Sequence, residues 1–186
     1  TAPFTYQWKK DGSPIFGATS ASYVIAAATA GDQGAYSVTV TNACGDATSN
    51  AASLTVNQAP NITGPPADHT VCVGAPLTFA ATATGTEPLT YQWTKDGNPI
   101  PGANGSTFVI AAAVAGDGGA YAVTVTNACG DATSSNATLT VDEPVVITGQ
   151  PANVIAPLGM AATFTVTATG TAPITYQWRK DGSPIL

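Results

Sequence analysis

Charge is the scarcest commodity in this sequence. Only 9% of the 186 residues are charged, and five basic residues face eleven acidic ones, for a formal net charge of −6. All five basic residues (Lys9, Lys10, Lys95, Arg179 and Lys180) fall within copies of one short motif. No extended basic surface is left for a phosphate backbone, so nucleic acid is not an expected partner. Histidine is nearly missing as well. His69 stands alone and reads as a surface residue; no nucleophile–base pair or metal-ligand cluster accompanies it. The reading is therefore not an enzyme, with no cofactor and no metal. Long apolar runs are also absent. No stretch approaches the roughly 20 residues of a membrane-spanning helix, and no signal peptide is present. Amphipathic helix patterns are lacking too: Ala26–Ala28 and Ala111–Ala113 are too short.

What is present is repetition. Tyr6-Gln7-Trp8-Lys9-Lys10-Asp11-Gly12 returns as Tyr91-Gln92-Trp93-Thr94-Lys95-Asp96-Gly97 and again as Tyr176-Gln177-Trp178-Arg179-Lys180-Asp181-Gly182. The spacing is constant, 93 − 8 = 85 and 178 − 93 = 85. A fixed period of that size means tandem domains. Within the motif Leu89, Tyr91 and Trp93 alternate with Thr90, Gln92 and Thr94, the period of a strand with one buried face. Asp-Gly then supplies the positive-φ turn of a hairpin. Nineteen Gly and 14 Pro, with abundant Thr, Ala and Val, fit short strands and frequent turns.

Taken in order, the chain divides into a partial module at 1–56, a linker at 57–61, a complete module at 62–141, a linker at 142–144 and a partial module at 145–186. Strands are expected at 5–10, 22–25, 36–41 and 47–56 of the first module. The complete one adds an edge strand broken by Pro65-Pro66, a half-buried strand carrying Leu77, Phe79, Ala81 and Ala83, the Trp93 strand, 107–110, 121–126 and a last strand with Ala137, Leu139 and Val141 facing inward. Seven or so short strands in about 85 residues make an all-β, two-sheet sandwich. The chain starts and stops inside repeats, so it is expected to be a piece of a longer array. The Pro-containing linkers suit extended, semi-rigid joints.

Gly74, Trp93, Asp117-Gly118-Gly119-Ala120-Tyr121, Asn127 and Gly130, at this period, resemble an immunoglobulin-like module of the bacterial tandem type, similar to the I-set. The resemblance covers the chain as one complete and two partial modules. It implies tandem immunoglobulin-like β-sandwiches with Trp8, Trp93, Trp178, Phe79, Tyr121, Val123 and Leu139 in the core. Tyr36 and Tyr121 become tyrosine-corner residues, with Asp32 and Asp117 bracing the turn before them. The family's inter-sheet cysteines would fall at Ala81 and Val123, and at Val38 and Val166, where none exists. No arginine is available to pair with Asp117 either.

Three cysteines remain as disulfide candidates, Cys44, Cys72 and Cys129; the first and last share one turn position, 129 − 44 = 85. A Cys72–Cys129 bridge within the module would close a long loop and leave Cys44 to an upstream partner. A bridge between modules or chains competes with it, because in a stacked array the A–B end of one module approaches the F–G end of the next. Free thiols are the third alternative. Asp142-Glu143 could supply oxygens to calcium, but the other joint has Asn57-Gln58, which favours a solvated linker. Phe16 is an exposed-looking aromatic at a position where the middle copy has Pro101.

The functional expectation is a structural, extracellular or cell-surface segment: a stalk, spacer or filament-forming element of a surface or secreted protein. Its partners are neighbouring modules of the same longer chain, and homo-assembly into filaments follows if residues 144–186 of one copy complement residues 1–56 of the next. The alternative is a set of non-catalytic binding or adhesion modules attached to an adhesin or secreted enzyme. The sequence names no ligand.

Overall fold

The computed structural model describes residues 3–185. The first module contains β1 (Thr5–Lys10), β2 (Ser13–Pro14), β3 (Gly34–Asn42), β4 (Gly45–Thr48) and β5 (Ala52–Leu54). They form one sheet in the order β2-β1-β3-β4, with β5 also on β3. The strand expected at Ser22–Ile25 does not form. Its counterpart in the middle module pairs with a strand that has no equivalent among residues 3–56.

The middle module holds β6 (Asn61–Gly64), β7 (His69–Cys72), β8 (Leu77–Ala80), β9 (Thr82–Thr84), β10 (Thr90–Lys95), β11 (Asn98–Pro99), β12 (Thr107–Ile110), β13 (Gly119–Asn127), β14 (Gly130–Thr133) and β15 (Ala137–Asp142). One sheet runs β11-β10-β13-β15-β7, with β14 also on β13. Facing it, β8 pairs with β12 and its continuation β9 pairs with β6. Pro65-Pro66 explains the split of the first edge strand: β6 joins one sheet, β7 crosses to pair parallel with β15 in the other.

The core lies between these sheets. Trp93, Phe79, Val123 and Val125 are 0% exposed, and Tyr121, Ala137 and Leu139 nearly so. Every residue of the buried cluster comes from 77–139, so the middle module closes a core of its own. Phe79 stacks on Tyr121 at 4.6 Å and Phe108 approaches Trp93 at 6.3 Å. His69, expected at the surface, is half-buried and meets the Phe79 ring edge-on at 5.2 Å, because β7 carries it over the end of the core.

The last module contains β16 (Val146–Gly149), β17 (Thr167–Thr169), β18 (Arg179–Lys180) and β19 (Ser183–Pro184). β16 pairs with β17, repeating β6 on β9. Two core expectations are corrected here. Trp178 is 39% exposed and Trp8 is only partly buried. Trp93 is covered by Phe79, Phe108 and Tyr121 together. Trp178 meets Phe164 alone, and Trp8 meets Tyr23 without a counterpart of Phe79.

Candidate functional site: the joint between modules

Most of the conspicuous polar residues are spent on the fold. Gln92, outward-pointing in the sequence reading, donates through Nε2 to the carbonyls of Trp93 and Ile100, both at 2.9 Å. Gln7 and Gln177 do the same in their copies. The Trp93 indole N–H donates to the Gly105 carbonyl at 2.9 Å. A fully buried Trp thus leaves no donor unmet.

Asp96 sits at φ 50° in the hairpin turn. Its Oδ1 accepts the Ala120 N–H at 2.9 Å and its Oδ2 accepts Lys95 Nζ at 3.1 Å. These bonds, the Ala120 N–H first, hold the carboxyl below its ordinary range. Asp11 repeats the contact with Ala35. The Lys-Asp-Gly motif therefore fastens the β10–β11 hairpin to the start of β13.

Each tyrosine hydroxyl donates to a backbone carbonyl four residues upstream: Tyr36 to Asp32 at 2.6 Å, Tyr121 to Asp117 at 2.8 Å. The aspartate carboxylates turn back as well. Asp117 accepts the Val114 N–H, and Asp32 accepts both the N–H and the hydroxyl of Thr29. Burial, and then the charges of Asp117 and Asp96, push the Tyr121 phenol up to about 12. The Thr29 backbone and hydroxyl bonds hold the Asp32 carboxyl low.

Among the described residues, no group of three His, Cys, Asp or Glu is placed to hold a metal. The arrangement with functional content is the joint. Asn127, the last residue of β13, donates through Nδ2 to the Gln58 carbonyl at 2.7 Å and the Thr86 carbonyl at 2.8 Å. Its Oδ1 accepts the Cys129 N–H, which sets the amide's orientation. Gln58 and Thr86 bond each other twice, through the Gln58 N–H to Thr86 Oγ1 and the Thr86 N–H to the Gln58 carbonyl. Pro60 is buried beneath them. Gly85, at φ 148°, lets the chain come this close: a Cβ there would meet Pro60 Cα and the Ala59 carbonyl at 3.1 Å. The linker expected at 57–61 is thus bonded to the middle module from Gln58 onward.

The second joint is tighter. The Asp142 carbonyl accepts the Val73 N–H at 2.9 Å, within the middle module. The next residue, Glu143, donates its N–H to Thr171 Oγ1 at 2.7 Å and accepts the Thr171 N–H at 3.0 Å, within the last module. Consecutive residues are fastened to successive modules. Sequence reasoning missed this clamp. Its signal was the recurrence of a polar pair at period 85: Gln58 with Thr86, Glu143 with Thr171.

All three cysteines are free and exposed. Cys129 lies in the turn beside the first joint, Cys72 at the end of β7 beside the second, and Cys44 at the pole of the first module away from its joint. A Cys72–Cys129 bridge within the module is ruled out by register. Gly119 faces Leu139, which faces His69, and Cys72 lies three residues further on. Cys129 lies at the opposite pole, beyond Asn127, the end of β13. The separation, Gly119 to Asn127 plus those three steps, is about 35 Å at roughly 3.3 Å per residue. A disulfide needs Cα atoms within about 7 Å.

Residues 60–141 match the family model described as the immunoglobulin I-set domain. The chain is 33% identical over 193 residues to Roundabout homolog 1 of Mus musculus, covering 98% of this chain and 12% of that protein. It is 58% identical over 55 residues to the decoration protein of Escherichia phage T5, covering 29% of this chain and 34% of the relative. It is 36% identical over 134 residues to endoglucanase C of Cellulomonas fimi, covering 68% and 12%. Among solved structures, the I-band fragment I67–I69 from titin superposes with a TM-score of 0.73 at 24% identity, over 100% of this chain and 72% of that one. The fold is a tandem of immunoglobulin-like β-sandwiches, one complete and two partial. The relatives are animal, phage and bacterial, so the narrower bacterial type expected from sequence is not singled out. The chain spans about an eighth of the Roundabout relative's length.

Proposed function

We propose that these modules are a structural spacer: a stalk or filament-forming stretch of a larger surface or secreted protein that sets distance and orientation. One observation carries the reading. At the second joint Asp142 is bonded to the middle module and Glu143 to the last, with no unbonded residue between them. A binding array that must adapt to its target gains from loose linkers; a strut gains from bonded ones. Low charge and Thr-rich sheet faces suit a location outside the cell. The partners are neighbouring modules of the same longer chain. Electron microscopy of the native material, with and without reductant, tests the reading. Extended particles with regular module spacing support it, and a flexible string with no preferred inter-module angle overturns it.

A second reading, non-catalytic accessory modules carried by an adhesin or secreted enzyme, draws on the likeness to endoglucanase C over two thirds of the chain. Phe16, fully exposed just after β2, is the side chain it would use. Retention on insoluble polysaccharide, lost in Phe16→Ala, would favour this reading over the spacer.

A further inference from the structure

The middle module leaves one sheet edge open. Among the described residues, β12 pairs with β8 and with nothing else. The Ala81 N–H donates to the Ser106 carbonyl, which fixes the alternation: Ser106, Phe108 and Ile110 bond to the β8 side. The N–H and C=O groups of Thr107 and Val109 therefore point outward, along the free edge. Val109 is 59% exposed and Thr107 is exposed beside it.

Natural sheets protect such edges with charge, proline or cover. The other edges of this module have these guards. β11 ends at Pro99 beside Lys95, and β7 follows Pro65, Pro66 and Asp68. The β12 edge has none. From Gly97 to Gly116 no residue is charged, and from Gly102 onward none is proline. The first module repeats the uncharged run in sequence, residues 12–31 with Val24 at the Val109 position, 109 − 24 = 85, but forms no strand there.

We propose that β12 is a self-association edge, on which a second copy of this chain lays its own β12 antiparallel across a two-fold axis. Thr107 of one copy faces Val109 of the other, and each such pair exchanges both N–H···O bonds. A second copy is the occupant the charges select. At a net −6 the chains repel, and this uncharged stretch is where two copies meet without like charges opposed. One four-residue edge binds weakly, and among the described residues only the middle module forms it, so the association belongs to high concentration. The association does not depend on the spacer reading.

Hydrogen exchange of the full chain, resolved by residue at low and high concentration, tests the proposal. The Thr107 and Val109 amides should slow by at least about tenfold on concentration, while Phe108 and Ile110, already bonded to β8, stay unchanged. Val109→Lys should abolish that slowing with an unaltered melting curve; Thr107→Lys is the second variant should the first fail to fold. Concentration-independent exchange at Thr107 and Val109, or protection confined to other strands, overturns the proposal.

Discussion

Asp96 occupies the space that a side chain at Gly119 would need. A Cβ at Gly119 would lie 2.7 Å from Asp96 Oδ1, and the glycine itself sits at φ 151°. The same relation joins Asp11 and Gly34 at 2.8 Å. The aspartate turns one hairpin and anchors the neighbouring strand, and it can do so only opposite a glycine.

Gly119→Ala should therefore destabilise the middle module by about 1–3 kcal/mol, through backbone strain and displacement of the Asp96 carboxylate. Chemical denaturation checks this. Gly116→Ala, where a Cβ has open space and φ is not positive, serves as the mild control.

Trp93→Ala should cost about 3–5 kcal/mol, since the ring is fully buried against Phe79 and Phe108. The same change at Trp178, which is 39% exposed, should cost clearly less. Equal losses at the two positions would contradict the burial described here. The three tryptophans look alike in sequence, and that likeness is why all were assigned to cores. What separates them is their cover, which comes from strands distant in sequence.

The pH dependence of the middle module should carry the signature of Tyr121. Its phenol is raised to about 12 in the folded state, first by burial, against about 10 unfolded. A raised pKa gives stability that is fully present below pH ~10 and is lost as pH climbs through about 12. Asp96 acts in the opposite sense. Its folded pKa is lowered, so its contribution is present above the unfolded value of about 3.9 and disappears as pH falls through the folded one. Spectrophotometric titration of Tyr121→Phe against the parent should remove one late-ionising phenol. Its persistence in the variant would reassign the shift.

Cys44, Cys72 and Cys129 should all alkylate in the native monomer, as free and exposed thiols. Intact mass after native alkylation counts them directly. An intramolecular bridge between Cys72 and Cys129 would contradict the register of β7, β15 and β13.

The period-85 repeat, the alternation along the Trp strands and the Asp-Gly turns made the sandwich legible, because each is a local pattern that a strand or turn requires. The joint was less so. Asn127 reads as one more polar turn residue, yet its partner Gln58 is 69 residues away, and nothing local marks a long-range side-chain bond. The strand expected at Ser22–Ile25 shows the converse limit. Its apolar alternation is sound, but a strand exists only beside a partner.

The central claim is that the second joint is bonded rather than free. The distance distribution between Cys72 in the middle module and a cysteine introduced by Ser183→Cys, at an exposed position of the last, tests it most directly. Cys44→Ser and Cys129→Ser leave these two positions alone to carry spin labels. Pulsed electron spin resonance should give one narrow distribution for the chain with Thr171 intact. In Thr171→Val, where the Glu143 N–H loses its 2.7 Å bond to Thr171 Oγ1, the distribution should broaden. A distribution already broad with Thr171 in place, and unchanged by its loss, would contradict the account.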